Sequence, residues 1–304
     1  MSRESQFIDL MRAIAVDPAA RQLSDDAAVL QIGQDALVLT HDMMVEGVHW
    51  RCDASPFDVA WKLVAVNLSD LAAKGASPLG VLLGFALGDE AWDRAFAEGL
   101  AKALGHFDVP LLGGDTVGGT GVRNLGLTAI GRATCDIVPA RSGAQAGDLL
   151  FVTGVLGDAA AGFDLLEAGK AGPETLIAAY SRPTPLVHEG RALAPIVSAM
   201  MDVSDGLLLD AQRMARASQL AIAIDLSAIP LSSEYCSICG DGLESRLRAA
   251  SWGDDYQLLF AGAAETKWPV PVKAVGSFSV GSGLSVHLDN VPVELPASLG
   301  YEHS

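Results

Sequence analysis

Two hydrophobic periods alternate along this chain. Short apolar runs rich in Val, Leu and Ile, bounded by turn residues, predict strands at 36–40, 81–87, 125–130, 149–153, 220–226 and 256–261. Between them lie longer segments with apolar positions at helical spacing. Ser55-Pro56-Phe57-Asp58 opens one of these. Ser55 is placed to cap, Pro56 suits the first helical position, and Asp58 sits near the positive end of the helix dipole. This helix is expected to run to Gly75, a residue suited to a left-handed C-terminal cap. A second helix is predicted over 91–104, with Trp92, Phe96, Leu100 and Leu104 on one face and Gly105 ending it. A third is predicted over 204–217. The mixture predicts an α/β (α+β) fold. The polar, Gly-containing stretch 141–148 (RSGAQAGD) separates two halves, so a boundary is expected near residue 145, giving domains 1–145 and 146–304. The tail, with Pro292, Pro296 and Gly300, reads as an irregular end.

Composition narrows the classes. A chain of 304 residues, half of them hydrophobic, buries about 75% of the surface its unfolded form exposes, which excludes disorder. Four cysteines in this length exclude a disulfide scaffold. The balance of 20 basic and 37 acidic residues leaves a net charge of -17, which argues against nucleic acid or an anionic membrane as the main partner. An anionic ligand would need a cation between it and such a protein. The N-terminal stretch carries charges throughout and has no apolar core of a signal peptide. The most apolar stretch, 59–73, contains Lys62, Asn67 and Asp70 and is too short and polar to span a bilayer. A cytoplasmic protein is the expectation.

The recurrent chemical feature is aspartate beside apolar runs. Asp25-Asp26 precede AAVL, Asp42 follows ALVLT, and Gly113-Gly114-Asp115-Thr116 follow VPLL. Asp202-Val203-Ser204-Asp205-Gly206 follow SAMM, and Gly253-Asp254-Asp255 precede YQLLF. Ligands gather at strand ends in α/β folds, although turn formation and capping are the commoner roles of a single loop Asp. Asp70 stands apart, inside an apolar helix, sharing a face with Asn67 and Lys74. That stripe is either solvated on a surface helix or turned toward a polar, metal-filled cleft. Crowded carboxylates repel by about 4 kcal/mol per close pair at an effective dielectric near 20. Magnesium, held by a few carboxylates plus substrate phosphates, removes that repulsion and lets an acidic protein bind a nucleotide.

Other templates are absent. There is no G-x-x-x-x-G-K-[ST], and the Gly-rich stretch 113–121 has no lysine. G-x-S-x-G and H-E-x-x-H are missing, and Cys236-x-x-Cys239 has no second pair for zinc. His49, near Asp42, and Arg141, with paired donors suited to phosphate, are the remaining candidates.

The motifs SDDAAVL (24–30), THDMMVEGVHW (40–50), NLSDLAAKGASP (67–78), GGDT (113–116), RSGAQAGD (141–148), DVSDG (202–206) and GDDYQLLF (253–260) run in order through nearly the whole chain. In this combination the chain resembles the thiamine-monophosphate kinase family, within the aminoimidazole ribonucleotide synthetase superfamily. The resemblance implies two α/β domains, a homodimer paired through its N-terminal domains, and an active site in the cleft between the halves. It implies transfer of the γ-phosphoryl group of ATP to thiamine monophosphate with several Mg2+ ions. It places metal at Asp26, Thr40, His41, Asp42, Asp70, Asp115, Asp202 and Asp205. It places the nucleotide at Gly114, Asp115, Arg141 and Ser204, and thiamine phosphate at His49, Asp254 and Tyr301. Asp42 and Asp115 carry the expectation for turnover. The chain departs from the family pattern at Ser24 (usually Gly), His41 (Thr), Lys74 (Met), Ala97 (an aromatic) and Asp254 (Glu).

Overall fold

The computed structural model describes residues 3–119 and 121–303. Helix α1 (Arg3–Arg12) precedes a five-stranded sheet built from β1 (Ala28–Ile32), β2 (Asp35–Val45), β3 (Ala76–Leu87), β4 (Leu111–Gly118) and β5 (Asn124–Ala133). Its order is β1-β2-β5-β3-β4, antiparallel except for the β3/β4 pair. Two long helices, α2 (Pro56–Ala73) and α3 (Glu90–Phe107), belong to this half.

The second sheet comprises β6 (Leu149–Thr153), β7 (Ala199–Asp202), β8 (Leu220–Asp225), β9 (Leu258–Gly262), β10 (Val272–Val280), β11 (Gly283–Leu288) and β12 (Val291–Val293). Its order is β12-β11-β8-β10-β6-β9-β7. Helices α4 (Asp158–Glu167), α5 (Glu174–Ser181), α6 (Val187–Leu193), α7 (Leu207–Ala217), α8 (Ser233–Cys239) and α9 (Leu243–Ser251) complete this half. We propose the division between the halves at residue 145, inside the segment that joins the sheets. Among the described residues no helix is long and apolar enough to cross a membrane.

Helix α2 is the element that matters most for position. Pro56 sits in its first turn as expected, and Ser55 takes the N-cap conformation, but the Ser55 hydroxyl makes no capping bond. Gly75 adopts the expected left-handed backbone, φ 59°. The helix is buried nearly all round, which marks a core helix rather than an amphipathic surface one. Leu63, Val64 and Leu68 join the first-sheet core, while Ala72 and Ala73 pack with Phe151, Met200 and Phe260 of the second sheet. The approach of α6 is so close that a Cβ on Gly190 would lie 2.0 Å from the Ala72 carbonyl oxygen. A helix wedged between two sheets has no solvated face, so the stripe Asn67–Asp70–Lys74 points into the protein.

Several expectations shift. Helix α3 continues through Gly105 and ends at Asp108, which takes the left-handed conformation at φ 53°. Residues Gly113–Asp115 lie within strand β4, not in a loop, because β3 pairs in parallel with them. Asp42 likewise lies inside β2, which β5 extends to Val45 by pairing along its length. Helix α7 starts at Leu207, since Gly206 at φ 116° interrupts the backbone before it. Ser24 sits at an ordinary φ of -118°, and the positive angles fall instead on Arg21, Gln22 and Leu23.

Leu68→Ala removes a fully buried side chain from the centre of α2. Urea denaturation is expected to show a loss of about 2–5 kcal/mol. A loss below about 1 kcal/mol would contradict the placement of α2 between the sheets.

Candidate active site

Both halves contribute to one acidic pocket. Carboxylate oxygens of Asp26, just before β1, Asp70 on α2, and Asp202 at the end of β7 all lie within 4.8 Å of one another. Thr40 Oγ1 donates to Asp70 Oδ2 and lies 3.4 Å from the Asp26 carbonyl oxygen. Ser69 Oγ donates to Asp202 Oδ2 at 2.5 Å. The Asp42 backbone N–H donates to Asn67 Oδ1 at 3.1 Å, which ties β2 to the polar stripe of α2.

The charges in this pocket are unequal. Burial raises the Asp42 carboxyl to about 6, with Asp26 and Asp205 adding repulsion. Burial raises Asp202 to about 8, reinforced by Asp26. Asp70 is pushed well above the carboxylate range by burial, then by Asp42, Asp202 and Asp26. Asp26 is the exception. Burial opposes its charge, yet Arg141 and Lys74 hold it below the usual range. Arg141 grips Asp26 Oδ1 with Nε at 2.7 Å and Nη2 at 2.6 Å. Lys74 Nζ lies 2.6 Å from Asp26 Oδ2 as an ion pair, without the alignment of a hydrogen bond, so that oxygen is buried with no hydrogen-bond partner.

A second group of side chains adjoins the first. Ser204, Asp205 and Asp254 are linked through the backbone: Asp254 N–H donates to the Ser204 carbonyl, and Tyr301 N–H donates to the Asp205 carbonyl, both at 2.9 Å. Arg213 pairs with both Asp205 and Asp210. Asp254 is held by Lys62 Nζ at 2.9 Å and by the Tyr256 hydroxyl at 2.9 Å. Lys62 in turn lies 4.1 Å from the centre of the Tyr180 ring. Burial lowers the His49 pKa, followed by the charge of His303. His49 Nδ1 accepts from the Val45 N–H at 3.0 Å, which leaves its proton on Nε2. The His49 and His303 rings are 5.2 Å apart, and Tyr301 meets His303 edge-on at 5.0 Å.

Three expected residues stand apart from the pocket. Asp115 is exposed on the edge strand β4. Along the sheet register Asp42 shares a row with Leu127, Leu83 and Gly114, whereas Asp115 shares the next row with Met43, Gly126 and Gly84. Among the described residues no hydrogen bond or ion pair joins Asp115 to the acidic pocket. Gly114 presses so closely on β3 that a Cβ would fall 1.9 Å from the Leu83 carbonyl oxygen, so only glycine fits there. His41 Nδ1 pairs with Thr128 Oγ1 at 2.8 Å, in the row beside that of Asp42. The imidazole is therefore not part of the cluster.

Sequence reasoning missed Ser69, Lys62, Tyr256, Asp210, Arg213 and His303. Lys62 and Ser69 carried a faint signal, as polar residues on an otherwise apolar helix.

Comparison with known proteins now decides the kinship. The family model "AIR synthase related protein, N-terminal domain" matches residues 24–133, and "AIR synthase related protein, C-terminal domain" matches residues 145–260. Thiamine-monophosphate kinase of Salmonella typhimurium is 36% identical, with 98% of this chain and 96% of that protein aligned. The chain belongs to the thiamine-monophosphate kinase family. The family protein of Caulobacter vibrioides is 37% identical over 94% of this chain and 86% of its own. The solved structure "AaThiL complexed with AMPPCP and TMP" superposes with a TM-score of 0.87 at 29% identity, covering 99% of each chain.

The raised carboxyls give this family member a signed pH dependence. Asp42 and Asp202 ionise later in the folded than in the unfolded chain, so stability drains as pH climbs from 3.8 toward about 8. In a chelator the melting temperature is expected to fall between about pH 5 and 8, and Mg2+ to flatten the fall by binding the ionised forms. A melting temperature that rises over this window without metal would contradict the pocket.

Proposed function

We propose that this chain transfers the γ-phosphoryl group of ATP to thiamine monophosphate, giving thiamine diphosphate and ADP. The observation that carries this reading is the convergence of Asp26, Asp70 and Asp202 from both halves of the chain. The family relationship supplies the reaction, and the pocket supplies its chemistry.

A bound divalent ion fits the residues present. The donors are hard oxygens, and Asp70 and Asp202 receive only hydroxyl donors, with no cationic side chain among the described residues paired to them. Asp26, Asp42, Asp70 and Asp202, with Thr40 and the His41 carbonyl, would hold Mg2+, and Asp205 lies at the same mouth. When bound, Mg2+ screens the charge of the polyphosphate and of the acceptor phosphate.

The remaining work is positioning. A phosphate oxygen of thiamine monophosphate attacks the γ-phosphorus, the bond to the β,γ-bridging oxygen breaks, and ADP carries away the electron pair. The attacking oxygen is already anionic at neutral pH, so no side chain needs to remove a proton. Arg141 spends Nε and Nη2 on Asp26, which leaves Nη1 for a nucleotide phosphate. Gly114 allows the backbone of β4 to lie close to β3, and Ser204 borders the nucleotide side. His49 offers Nε2–H, and Asp254 is held rigid by Lys62 and Tyr256, both facing the thiamine moiety beside Tyr301.

Purified protein with ATP, Mg2+ and thiamine monophosphate is expected to form thiamine diphosphate, detected by chromatography, whereas free thiamine yields no product. Asp42→Asn is expected to lower kcat by about 100-fold or more while leaving the fold intact. Nucleotide binding without diphosphate product would refute the reaction.

The same reading includes a homodimer, completed through the first sheet. Strand β4 is exposed along its whole length at the sheet edge, and Leu111, Leu112 and Val117 are each about half exposed there. Met43, Leu82 and Leu30 extend the apolar exposure across other strands of the same sheet. An unpaired edge bearing apolar side chains suits a second copy of the chain. Such pairing brings the Asp115 of each edge strand into a shared interface. Sedimentation is expected to give twice the 31.5 kDa chain mass, and Val117→Lys to shift the protein toward monomer. A wild-type monomer at micromolar concentration would count against the pairing.

A further inference from the structure

Lys74 caps the end of α2 with its side chain wholly buried. Its ammonium donates to the Asp25 carboxylate and to the Met200 carbonyl at 3.0 Å, and it forms an ion pair with the Asp26 carboxylate at 2.6 Å. Arg21 takes the other oxygen of Asp25, and Arg141 takes the other oxygen of Asp26. This end of the pocket therefore sets two carboxylates against three cationic side chains. The other end is built differently. Asp70 and Asp202 receive hydroxyl donors from Thr40 and Ser69, and no cationic side chain among the described residues pairs with them or with Asp42. The two ends differ in how much outside cation they need.

We propose that Lys74 is a built-in cation of the active site, occupying at Asp26 the charge-balancing place that a divalent ion would otherwise take, so that this chain assembles its polyanion site with one metal ion fewer than the same carboxylates would hold without it. The inference rests on the magnesium reading of the pocket. Lys74 is a positioning residue: it acts through Asp26 and touches neither nucleotide nor acceptor. A buried ammonium needs paired charge around it, and here two carboxylates and a carbonyl surround it. The ion pair at Asp26 Oδ2 lacks hydrogen-bond alignment, so losing the ammonium would leave a bare, buried anionic oxygen on a carboxylate clustered with Asp70 and Asp202.

The test counts metal rather than turnover. Mn2+ bound per chain is measured by electron paramagnetic resonance, with a non-hydrolysable ATP analogue present. Wild type is compared with Lys74→Met, Lys74→Gln and Lys74→Arg. The two uncharged variants are expected to bind one more Mn2+ per chain than wild type, and Lys74→Arg to keep the wild-type count. Equal counts in wild type and a folded uncharged variant overturn the inference while leaving the magnesium reading standing. A wild type that binds no Mn2+ overturns both. Lys74→Gln keeps a donor for the Met200 carbonyl, so it carries the test where Lys74→Met does not fold. If neither uncharged variant folds without metal, recovery of folding on adding Mn2+ supports the inference, and no recovery overturns it.

Discussion

Like charges held close together in a low-dielectric interior must be neutralised by something. Asp26, Asp42, Asp70 and Asp202 impose that condition on the rest of this molecule. Two of the four carboxyls move to about 6 and about 8, a third rises well above the carboxylate range, and the fourth stays low because two cationic side chains hold it. The empty protein meets the condition with protons and with Lys74 and Arg141. Under the proposed function divalent cations would meet it instead, and they would also let polyanionic substrates approach a chain of net charge -17. On that reading, metal binding and a loss of stability without metal are one property seen under two conditions.

Helix α2 makes this crowding possible. A carboxylate on an exposed helix is solvated and carries little functional information. Wedging the helix between two sheets removes that solvent, and the contacts of Ala72 and Ala73 with Phe151 and Phe260 keep it wedged. Small residues at the crossing matter here, since the Gly190 backbone could not approach the Ala72 carbonyl with a side chain in the way. The same helix carries Lys62 toward Asp254 and Lys74 toward Asp26, so its two buried lysines stabilise acids in the two adjoining parts of the site.

What the sequence disclosed follows from the range of the forces involved. Strand β6 coincides with its apolar run, and α2 with its proline start and glycine stop, because period, capping and backbone freedom are local. Asp26, Asp42, Asp70 and Asp202 were legible as candidates because acids beside apolar runs are conspicuous. Their convergence was not legible, since it depends on how two sheets clasp one helix. Strand β4 is absent from the expected strands because Gly113 and Gly114 have poor strand propensity, and only pairing with β3 makes them a strand. The partner Arg213 went unseen because a guanidinium at the right distance leaves no trace in hydrophobic period.

The pocket is asymmetric, and the asymmetry has a chemical direction. The Asp26 end is rich in fixed positive charge, supplied by Lys74, Arg141 and the neighbouring Arg21. At the Asp42–Asp70–Asp202 end, the Asp70 and Asp202 carboxyls receive hydroxyl donors, and no cationic side chain among the described residues pairs with the three acids. Fixed cations cannot leave with a product, whereas bound metal can exchange. On the proposed reaction, a site that holds two phosphate chains in line and then releases ADP and a diphosphate gains from having both kinds. Immobile charge at one end would hold Asp26 in place through every turnover, and exchangeable charge at the other would let the polyanions go.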